Sequence, residues 1–356
     1  MSAARPSVMA CSHSRDDPAS RFRVVQYLPL LAEAGWRVAH RPLVPSRYWQ
    51  PATRLPGWRG LQRRAAAWTR TWHRRRDVRD AAGFDVVLLN RDLHRGRQVW
   101  EQRLFAANPR VVFDFDDAIY LGDKRAHIEW ICRRAAWVTA GNATLAEFAR
   151  QYTDRVTLLP TVVDPLRYAL HDAGDVMPTA PLRVGWLGSD LSIRETLYPH
   201  WKMLGRLQHA LGFEFVICSR PRPQPPSDAL RWSFLEWSPR AEEAIGRHLD
   251  VGVMPLVDNE FQRGKCGLKL LQYMAAGLPV IASPVGINRA LVQADTGFLA
   301  TGEHEWHAAL RALLVSPERR IALGRAGRAR CERDFSLRGW VGTLHEILSN
   351  VASGAR

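Results

Sequence analysis

Short apolar runs alternate with amphipathic stretches along most of this chain, and this alternation constrains the fold more than any other feature. The apolar runs have the length of buried strands, at Val111–Phe115, Trp137–Ala140, Arg183–Leu187, Phe213–Cys218, Val251–Leu256 and Pro279–Ala282. Helical periodicity occurs between them, at Arg23–Ala34, Ala143–Tyr152, Leu268–Ala276 and Glu305–Leu314. The pattern predicts an α/β fold in which parallel sheets are covered by helices on both faces.

The length of the chain and one turn-rich segment predict its division into domains. The 356 residues suit two domains of ordinary size. The segment Pro160–Pro181 is rich in proline and turn residues, and a new strand pattern starts directly after it. We therefore expect an N-terminal domain at 1–165, a C-terminal domain at 166–335, and a last helix at 336–356 that crosses back to the N-terminal domain. Both domains would be doubly wound, with ligands bound in a cleft at the carboxyl ends of the strands.

Composition narrows the location and the partners of the protein. No uncharged apolar stretch reaches the roughly 18 residues of a membrane span, and the N-terminus has no signal-peptide pattern, so we expect a cytoplasmic protein. The five cysteines are isolated, without spacing that suits zinc, and we expect no metal. The formal net charge of +15 favours anionic partners, namely nucleic acid, acidic lipid or phosphorylated small molecules.

The segment from Arg47 to Arg79 is unusual, because it holds ten arginines, four tryptophans and one acid. Its aromatic and apolar positions share one helical face at Trp58, Leu61, Ala65, Trp68 and Trp72, and the arginines at 59, 63, 64, 70 and 74 lie on the other side. One interpretation is a basic amphipathic helix at the inner face of an anionic membrane. The other is that the tryptophans pack on the domain core and the arginines are only solvated. Nucleic acid is not expected, because the aromatic residues do not form a strand platform.

A glycine- and lysine-containing segment, RGKCGLKLLQYMAAGLPVIASPVG, carries the clearest chemistry of the sequence. Lys265, Lys269 and Gln272 are spaced to share one side of the predicted helix, and its other side is apolar. Lysines near a helix N-terminus oppose the helix dipole, and an anion such as a diphosphate would remove this conflict. The alternative is that both are ordinary surface lysines.

The same segment resembles the core of the retaining glycosyltransferases of family 4 (glycosyl transferases group 1), which reads E-G-F-G-L-P-x-L-E-A-M-A-x-G-x-P-V-V-A-S. The match of M-A-x-G-x-P to Met274–Pro279 places Gln272 at the second Glu, which in the family binds the donor ribose. The first Glu, which contacts the transferred sugar, falls on Gly264, a departure from the family. Asp258 and Glu260 are candidates to replace it. Gly267 and Leu268 are expected in the donor site.

The resemblance extends to most of the chain and is weakest from Pro42 to Arg110. The family's R-x4-K phosphate pair is absent, and GWLGSDLSIRE offers Gly188, Ser189 and Arg194 in its place. The resemblance implies a GT-B fold, in which two Rossmann-like domains face each other across a cleft. It further implies a nucleotide-diphosphate sugar as the donor substrate, with no cofactor and no metal.

Three carboxylates follow one another closely at the end of the strand Val111–Phe115. Asp114 and Asp116 match the D-x-D metal motif of another glycosyltransferase fold, but GT-B enzymes generally need no bound metal. We expect Asp116 to bind the acceptor and Asp117 to act in catalysis. A helix cap is the alternative for one of this pair. Arg21, after the first strand, is expected near the acceptor or the phosphate; otherwise it is exposed.

Taken together, these features predict a retaining, hexosyltransferase-like enzyme that moves a sugar to an acceptor hydroxyl. The acceptor would be a glycan, a lipid-linked intermediate or a polysaccharide precursor. Lys265 and Lys269 are the expected catalytic cations for the leaving diphosphate. Two alternatives remain: a sugar-nucleotide epimerase on the same fold, and a non-enzymatic basic protein that binds membrane or nucleic acid.

Overall fold

The computed structural model describes residues 5–46, 59–94, 98–171 and 181–354. The chain divides into two compact units. The first is formed by Met1–Thr161 together with Trp340–Arg356, and the second by Val162–Gly339. Each unit contains one six-stranded parallel sheet with its own buried core.

The first unit is built on a sheet with the strand order β2-β1-β3-β4-β5-β6. The strands are β1 (Ser7–Ser12), β2 (Arg37–Pro42), β3 (Val86–Asn90), β4 (Val111–Phe115), β5 (Trp137–Ala140) and β6 (Val156–Leu158). The helices are α1 (Pro18–Arg23), α2 (Leu28–Glu33), α3 (Arg59–Ala81), α4 (Val99–Ala107), α5 (Arg125–Arg134) and α6 (Ala143–Arg150).

The second unit is built on a sheet with the order β12-β11-β10-β7-β8-β9. Its strands are β7 (Arg183–Leu187), β8 (Glu214–Ser219), β9 (Trp232–Glu236), β10 (Val251–Met254), β11 (Val280–Ala282) and β12 (Gly297–Leu299). Its helices are α7 (Asp190–Thr196), α8 (Trp201–Leu211), α9 (Pro239–Glu243), α10 (Ile245–His248), α11 (Glu260–Arg263), α12 (Leu268–Ala275), α13 (Asn288–Leu291), α14 (Glu303–Val315) and α15 (Pro317–Asp334). A last helix, α16 (Leu337–Ser353), begins in this unit and continues into the first.

The strand orders locate a natural binding edge in each unit. The order reverses between β1 and β3 in the first sheet, and between β7 and β10 in the second. In open parallel sheets, ligands bind outside the carboxyl ends of the strands at such a reversal. The loops after β1 and β3, and those after β7 and β10, are therefore the segments that lie at these binding edges.

The prediction of one continuous helix over Arg23–Ala34 is wrong. α1 ends at Arg23, a 3-10 turn covers Val25–Tyr27, and α2 begins at Leu28. Pro29 stands in the first turn of α2. A proline there lacks the amide hydrogen that a continuous helix would use, and its ring would clash with the carbonyl one turn earlier.

Helix α3 forms as the arginine-rich segment predicts, but its faces are reversed relative to the core-packing interpretation. Trp68 and Trp72 are exposed, whereas Arg74, which the periodicity assigns to the solvated side, is fully buried. The Arg74 guanidinium donates to the Asp77 carboxylate and to the carbonyl oxygen of Leu93. A buried charge is tolerated when it is paired and hydrogen-bonded in this way. Residues 47–58, with Trp58, lie outside the described residues, as do the side chains of 59–63 and 65–66.

Candidate functional site

The loop after β7 approaches α12 closely at Gly188. The Gly188 amide donates to the carbonyl oxygen of Cys218 at 3.0 Å. A Cβ atom at Gly188 would lie 2.3 Å from the Trp186 ring and 2.8 Å from the Lys269 Cε atom. Glycine is therefore required here because side chains from β7 and α12 fill the space. Ser189 caps α7, with its side chain accepting from the Ser192 amide at 3.2 Å.

Lys269 is held against this loop by contacts on two sides. Its Nζ atom donates to the Ser192 hydroxyl at 3.1 Å and lies 5.0 Å from the centroid of the Trp186 ring. The structure thus brings Lys269, Gly188 and Ser189 together at the carboxyl end of β7. Ser192 also belongs to this group, although no sequence pattern singled it out.

The second lysine lies before α12 and not on it. Gly267 is the N-cap of α12 and has a φ of 69°, so the helix cannot be extended back to Lys265. The Nζ atom of Lys265 lies 4.7 Å from the centroid of the Phe261 ring. The expected common helical face of Lys265, Lys269 and Gln272 is therefore wrong. Gln272 lies on α12 and is only 3% exposed.

Two further contacts fix the position of α12. A Cβ atom at Gly267 would lie 2.2 Å from the Leu291 Cδ1 atom, so the start of the helix packs directly on α13. At the other side, the Leu187 amide donates to the buried Tyr273 hydroxyl at 2.7 Å. Burial raises the pKa of Tyr273, so the hydroxyl stays neutral. Leu268, the first residue of α12, is half-buried beside these contacts.

The segment before Lys265 contains Gly264, which stands where the glycosyltransferase core that this segment resembles has its first Glu. Gly264 closes α11, and its amide donates to the Phe261 carbonyl oxygen. The Asp258 carboxylate accepts from Arg263 Nε at 2.6 Å, and this hydrogen bond lowers the pKa of Asp258. Glu260 lies exposed in the first turn of α11. Asp258 and Glu260, the two candidates to replace the first Glu, lie within six residues of Gly264 in the sequence. Asp258 is paired with Arg263.

Arg194 lies on α7, the helix that follows the loop after β7. It is exposed on α7, and its charge acts on the Tyr198 hydroxyl, whose pKa is raised by burial and lowered by Arg194. Arg194 therefore lies near Tyr198, whereas Lys269 contacts Ser192.

In the first unit, Asp116 and Asp117 share one cation, Arg91. The Arg91 Nε atom donates to Asp116 Oδ1 at 2.8 Å, and its NH2 group contacts Asp117 even more closely. Arg91 directly follows β3 and has a φ of 59°, a left-handed conformation that is uncommon for a residue other than glycine. Its amide donates to the Asp114 carbonyl oxygen at 2.8 Å, which ties the ends of β3 and β4 together. Arg91 is not among the residues that the sequence predicts for the site.

Asp114 has a different role from its neighbours. It is 1% exposed, and its carboxylate pairs with the buried Arg23 at 2.5 Å. Asn90 and Thr139 donate to the same carboxylate at 2.9 and 2.6 Å. All of these partners lie on neighbouring elements, so Asp114 joins the core of the first unit. Among the described residues, no group of three or more histidine, cysteine, aspartate or glutamate side chains is arranged to hold a metal ion.

Arg21 lies half-buried on α1, on the chain segment that follows β1. Its guanidinium carbon lies 4.9 Å from the centroid of the Phe22 ring. Arg21 therefore lies between exposed and buried on the segment that follows β1, and its expected contact with the acceptor or the phosphate stays a prediction.

The chain is similar to known glycosyltransferases over part of its sequence and in its whole fold. Residues 202–316 match the family model described as glycosyl transferases group 1. Among curated proteins, none matches this sequence. The solved structure of sucrose-phosphate synthase from Thermosynechococcus elongatus superposes with a TM-score of 0.68 at 14% identity, covering 99% of this chain and 100% of that one.

Two other solved structures give the same result. Anabaena HepE in complex with UDP superposes with a TM-score of 0.66 at 12% identity, covering 97% of this chain and 100% of that one. WaaG, a glycosyltransferase involved in lipopolysaccharide biosynthesis, superposes with a TM-score of 0.61 at 15% identity, covering 96% and 99% of the two chains. These likenesses confirm the expected fold class, the two-domain α/β fold of GT-B glycosyltransferases.

None of the described helices combines the length of a membrane span with sufficient apolar character.

Proposed function

We propose that this chain is a glycosyltransferase that moves a sugar from a nucleotide-diphosphate sugar to an acceptor hydroxyl, with retention of anomeric configuration. The observation that carries the proposal is the placement of Lys269 against Gly188 and Ser192 at the carboxyl end of β7. The family model covers this lysine and most of the second sheet. The fold likeness to glycosyltransferases of known structure supports the same activity.

The leaving diphosphate is the group that this site is built to receive. Negative charge develops on the diphosphate as the bond to the sugar breaks. Lys269 supplies a positive charge near the first amides of α12, and the helix dipole adds to its effect. Lys265 provides a second cation between α11 and α12. Stabilisation of the leaving group by fixed charges and amides is the proposed source of catalysis.

The other donor contacts follow from the same edge of the second sheet. Gly188 and Ser189 lie beside the diphosphate, and Gly267 and Leu268 form the start of α12 next to it. Gln272 is proposed to bind the donor ribose. Its burial means that only the end of its side chain would reach the ligand. HepE has been solved with UDP and with UDP-glucose, which supports a uridine nucleotide sugar as the first donor to test.

The acceptor is proposed to bind at the first unit. Asp116 would hold acceptor hydroxyls, and Asp117 would act as the catalytic carboxylate beside the attacking oxygen. The ion pairs of both with Arg91 hold the two carboxylates in a fixed orientation. Arg21 is proposed to contact the acceptor from α1. We propose a cytoplasmic enzyme that acts on a glycan, a lipid-linked intermediate or a polysaccharide precursor.

The test combines ligand binding with turnover. A panel of nucleotide sugars is added to the protein, and the melting temperature is measured, because a ligand that binds the folded state raises it. Transfer is then measured with the stabilising donor as release of nucleoside diphosphate in the presence and absence of acceptor extracts. Lys269→Ala should lower transfer about 100-fold or more, with the fold intact. Lys202→Ala, an exposed lysine on α8, is the matched control.

The possible outcomes separate the candidate activities. Release of nucleoside diphosphate that depends on acceptor supports transfer. Conversion of the donor to an isomeric nucleotide sugar without acceptor would instead identify an epimerase. If no nucleotide sugar changes the melting temperature, or if Lys269→Ala behaves like Lys202→Ala, the proposed function is wrong.

A further inference from the structure

Helix α3 presents two large aromatic side chains to solvent on the same face. Trp68 is 72% exposed and Trp72, one helical turn later, is 49% exposed. These are the only tryptophans among the exposed large hydrophobic residues of the described part of the chain. Exposed aromatic side chains that adjoin one another mark an interaction surface more often than isolated ones do. The donor and acceptor positions described above make no use of them.

The opposite face of α3 determines this orientation. Arg74, Asp77 and Ala81 are buried at helical spacing and face the first sheet. Besides its ion pair with Asp77, Arg74 donates to the carbonyl oxygen of Ser12 at the end of β1, at 3.1 Å. A buried guanidinium with these partners cannot leave its place without a large loss of hydrogen bonding. The helix is therefore locked with its tryptophans pointing away from the core.

Positive charge surrounds the aromatic pair. Arg64 precedes Trp68 by one turn and is exposed, and Arg75, Arg76 and Arg79 follow Trp72 on the exposed side. Nearby acidic side chains are few. Asp77 is buried with Arg74, and Asp80 contacts Arg76 and Arg79. The exposed face of α3 is thus aromatic in its middle and basic towards both ends.

We propose that the exposed face of α3 (Arg64, Trp68, Trp72, Arg75, Arg76 and Arg79) binds the surface of an anionic lipid bilayer. Tryptophan favours the interface between water and acyl chains, and arginine beside it is attracted to anionic headgroups. The long side chains of the arginines can reach the headgroups while the indole rings enter the interface. The helix would lie parallel to the membrane plane, with Arg74 still anchored in the protein. Attachment of this kind would place the first unit at the membrane surface.

A bilayer suits this face better than two other partners. Nucleic acid is bound by aromatic platforms that stack on successive bases, whereas Trp68 and Trp72 are arranged along one helix with arginines at its ends. A second copy of the chain would bring the same exposed arginines towards each other in a symmetric contact. Only a surface of negative charge with an apolar layer beneath it satisfies the tryptophans and the arginines at once.

The test is co-sedimentation of the full chain with vesicles, without any donor or acceptor, so that its result is independent of the proposed activity. Vesicles of phosphatidylcholine alone are compared with vesicles of phosphatidylcholine and phosphatidylglycerol in equal amounts. We expect binding to the anionic vesicles that weakens as salt is added. Trp68→Ser together with Trp72→Ser should weaken binding about tenfold or more. Arg64→Gln together with Arg75→Gln should weaken it about fivefold for each arginine at low salt.

Matched controls come from exposed residues of the second unit. Leu166→Ser with Val315→Ser removes two exposed apolar side chains, and Arg311→Gln with Arg325→Gln removes two exposed charges. Both control pairs should bind the vesicles like the unchanged protein. All variants should keep its melting temperature, because the substituted side chains are exposed.

Three results would overturn the proposal. The first is equal binding of the α3 variants and the controls to anionic vesicles, or no vesicle binding at all. The second is binding of a labelled oligonucleotide that depends on Trp68 and Trp72 while vesicles are not bound. The third is a change in oligomeric state, seen by sedimentation velocity, as the only effect of the tryptophan substitutions.

Discussion

At the scale of single residues, Gly188 shows how closely the proposed donor site is packed. A methyl group there would lie 2.3 Å from the Trp186 ring and 2.8 Å from the Lys269 side chain. Trp186 is fully buried, so the clash with its ring would force the backbone of the loop to shift, and the Lys269 side chain would be displaced as well. The position of one methyl group therefore decides where the Lys269 ammonium lies relative to an incoming diphosphate.

We predict that Gly188→Ala lowers donor affinity about tenfold or more and destabilises the second unit by about 1–3 kcal/mol through overpacking. The measurements are the melting temperature of the free protein and its increase with the stabilising nucleotide sugar. Gly302→Ala is the control, since a Cβ atom at Gly302 has no neighbour within 4 Å. Unchanged donor affinity in Gly188→Ala would mean that the diphosphate does not bind at this loop.

The sequence predicted some of the site residues better than others, for reasons that differ by residue. Gly188 and Lys269 could be predicted because Gly188 directly follows a recognisable buried strand and Lys269 stands in the first turn of a recognisable amphipathic helix. Lys265 was placed on the wrong element because a pattern of spacings cannot reveal that Gly267 begins the helix. Arg91 was missed because the two carboxylates that it pairs with follow a neighbouring strand, far away in the sequence. Its left-handed backbone is likewise visible only in the structure. Its position directly after a buried strand was the available signal.

At the scale of elements, strands were easier to predict than helix faces. The bounds of Val111–Phe115, Trp137–Ala140 and Arg183–Leu187 agree between sequence and structure, because strands buried on both faces are continuously apolar. In α3, periodicity separated two faces but could not determine which one is buried. The face that contains Arg74 is buried, because the Arg74 guanidinium donates hydrogen bonds to Asp77 and to three backbone carbonyl groups.

The orientation of α3 can be tested by a pair of adjacent substitutions. We predict that Arg74→Ala destabilises the first unit by about 3–5 kcal/mol, because the buried Asp77 carboxylate loses the closer of its two cations and keeps Arg41 at 3.6 Å. Arg75→Ala, the next residue, is exposed and should change stability by less than about 0.5 kcal/mol. Urea unfolding followed by circular dichroism measures both. Similar effects of the two substitutions would contradict the buried position of Arg74.

At the scale of the whole molecule, the chain ends in the unit where it begins. α16 starts in the second unit, and its last part, from Trp340, belongs to the first unit. His345 accepts from the Trp36 indole at 3.0 Å, and Leu344, Ile347 and Leu348 are buried. The first unit therefore needs residues from both ends of the sequence. The second unit is one continuous segment that contains the complete group around Lys269.

This arrangement predicts that the two units respond differently to changes in α16. Leu348→Ala should cost the first unit about 2–5 kcal/mol, because Leu348 is fully buried. Donor binding should remain, because Gly188, Ser192 and Lys269 all lie in the second unit. Glu346→Ala, an exposed neighbour on the same helix, should change neither property. Calorimetric unfolding with and without the stabilising nucleotide sugar separates the cases: the ligand should raise the transition of the second unit equally in all three proteins. A loss of donor affinity in Leu348→Ala that matches its loss of stability would show that donor binding depends on the first unit as well.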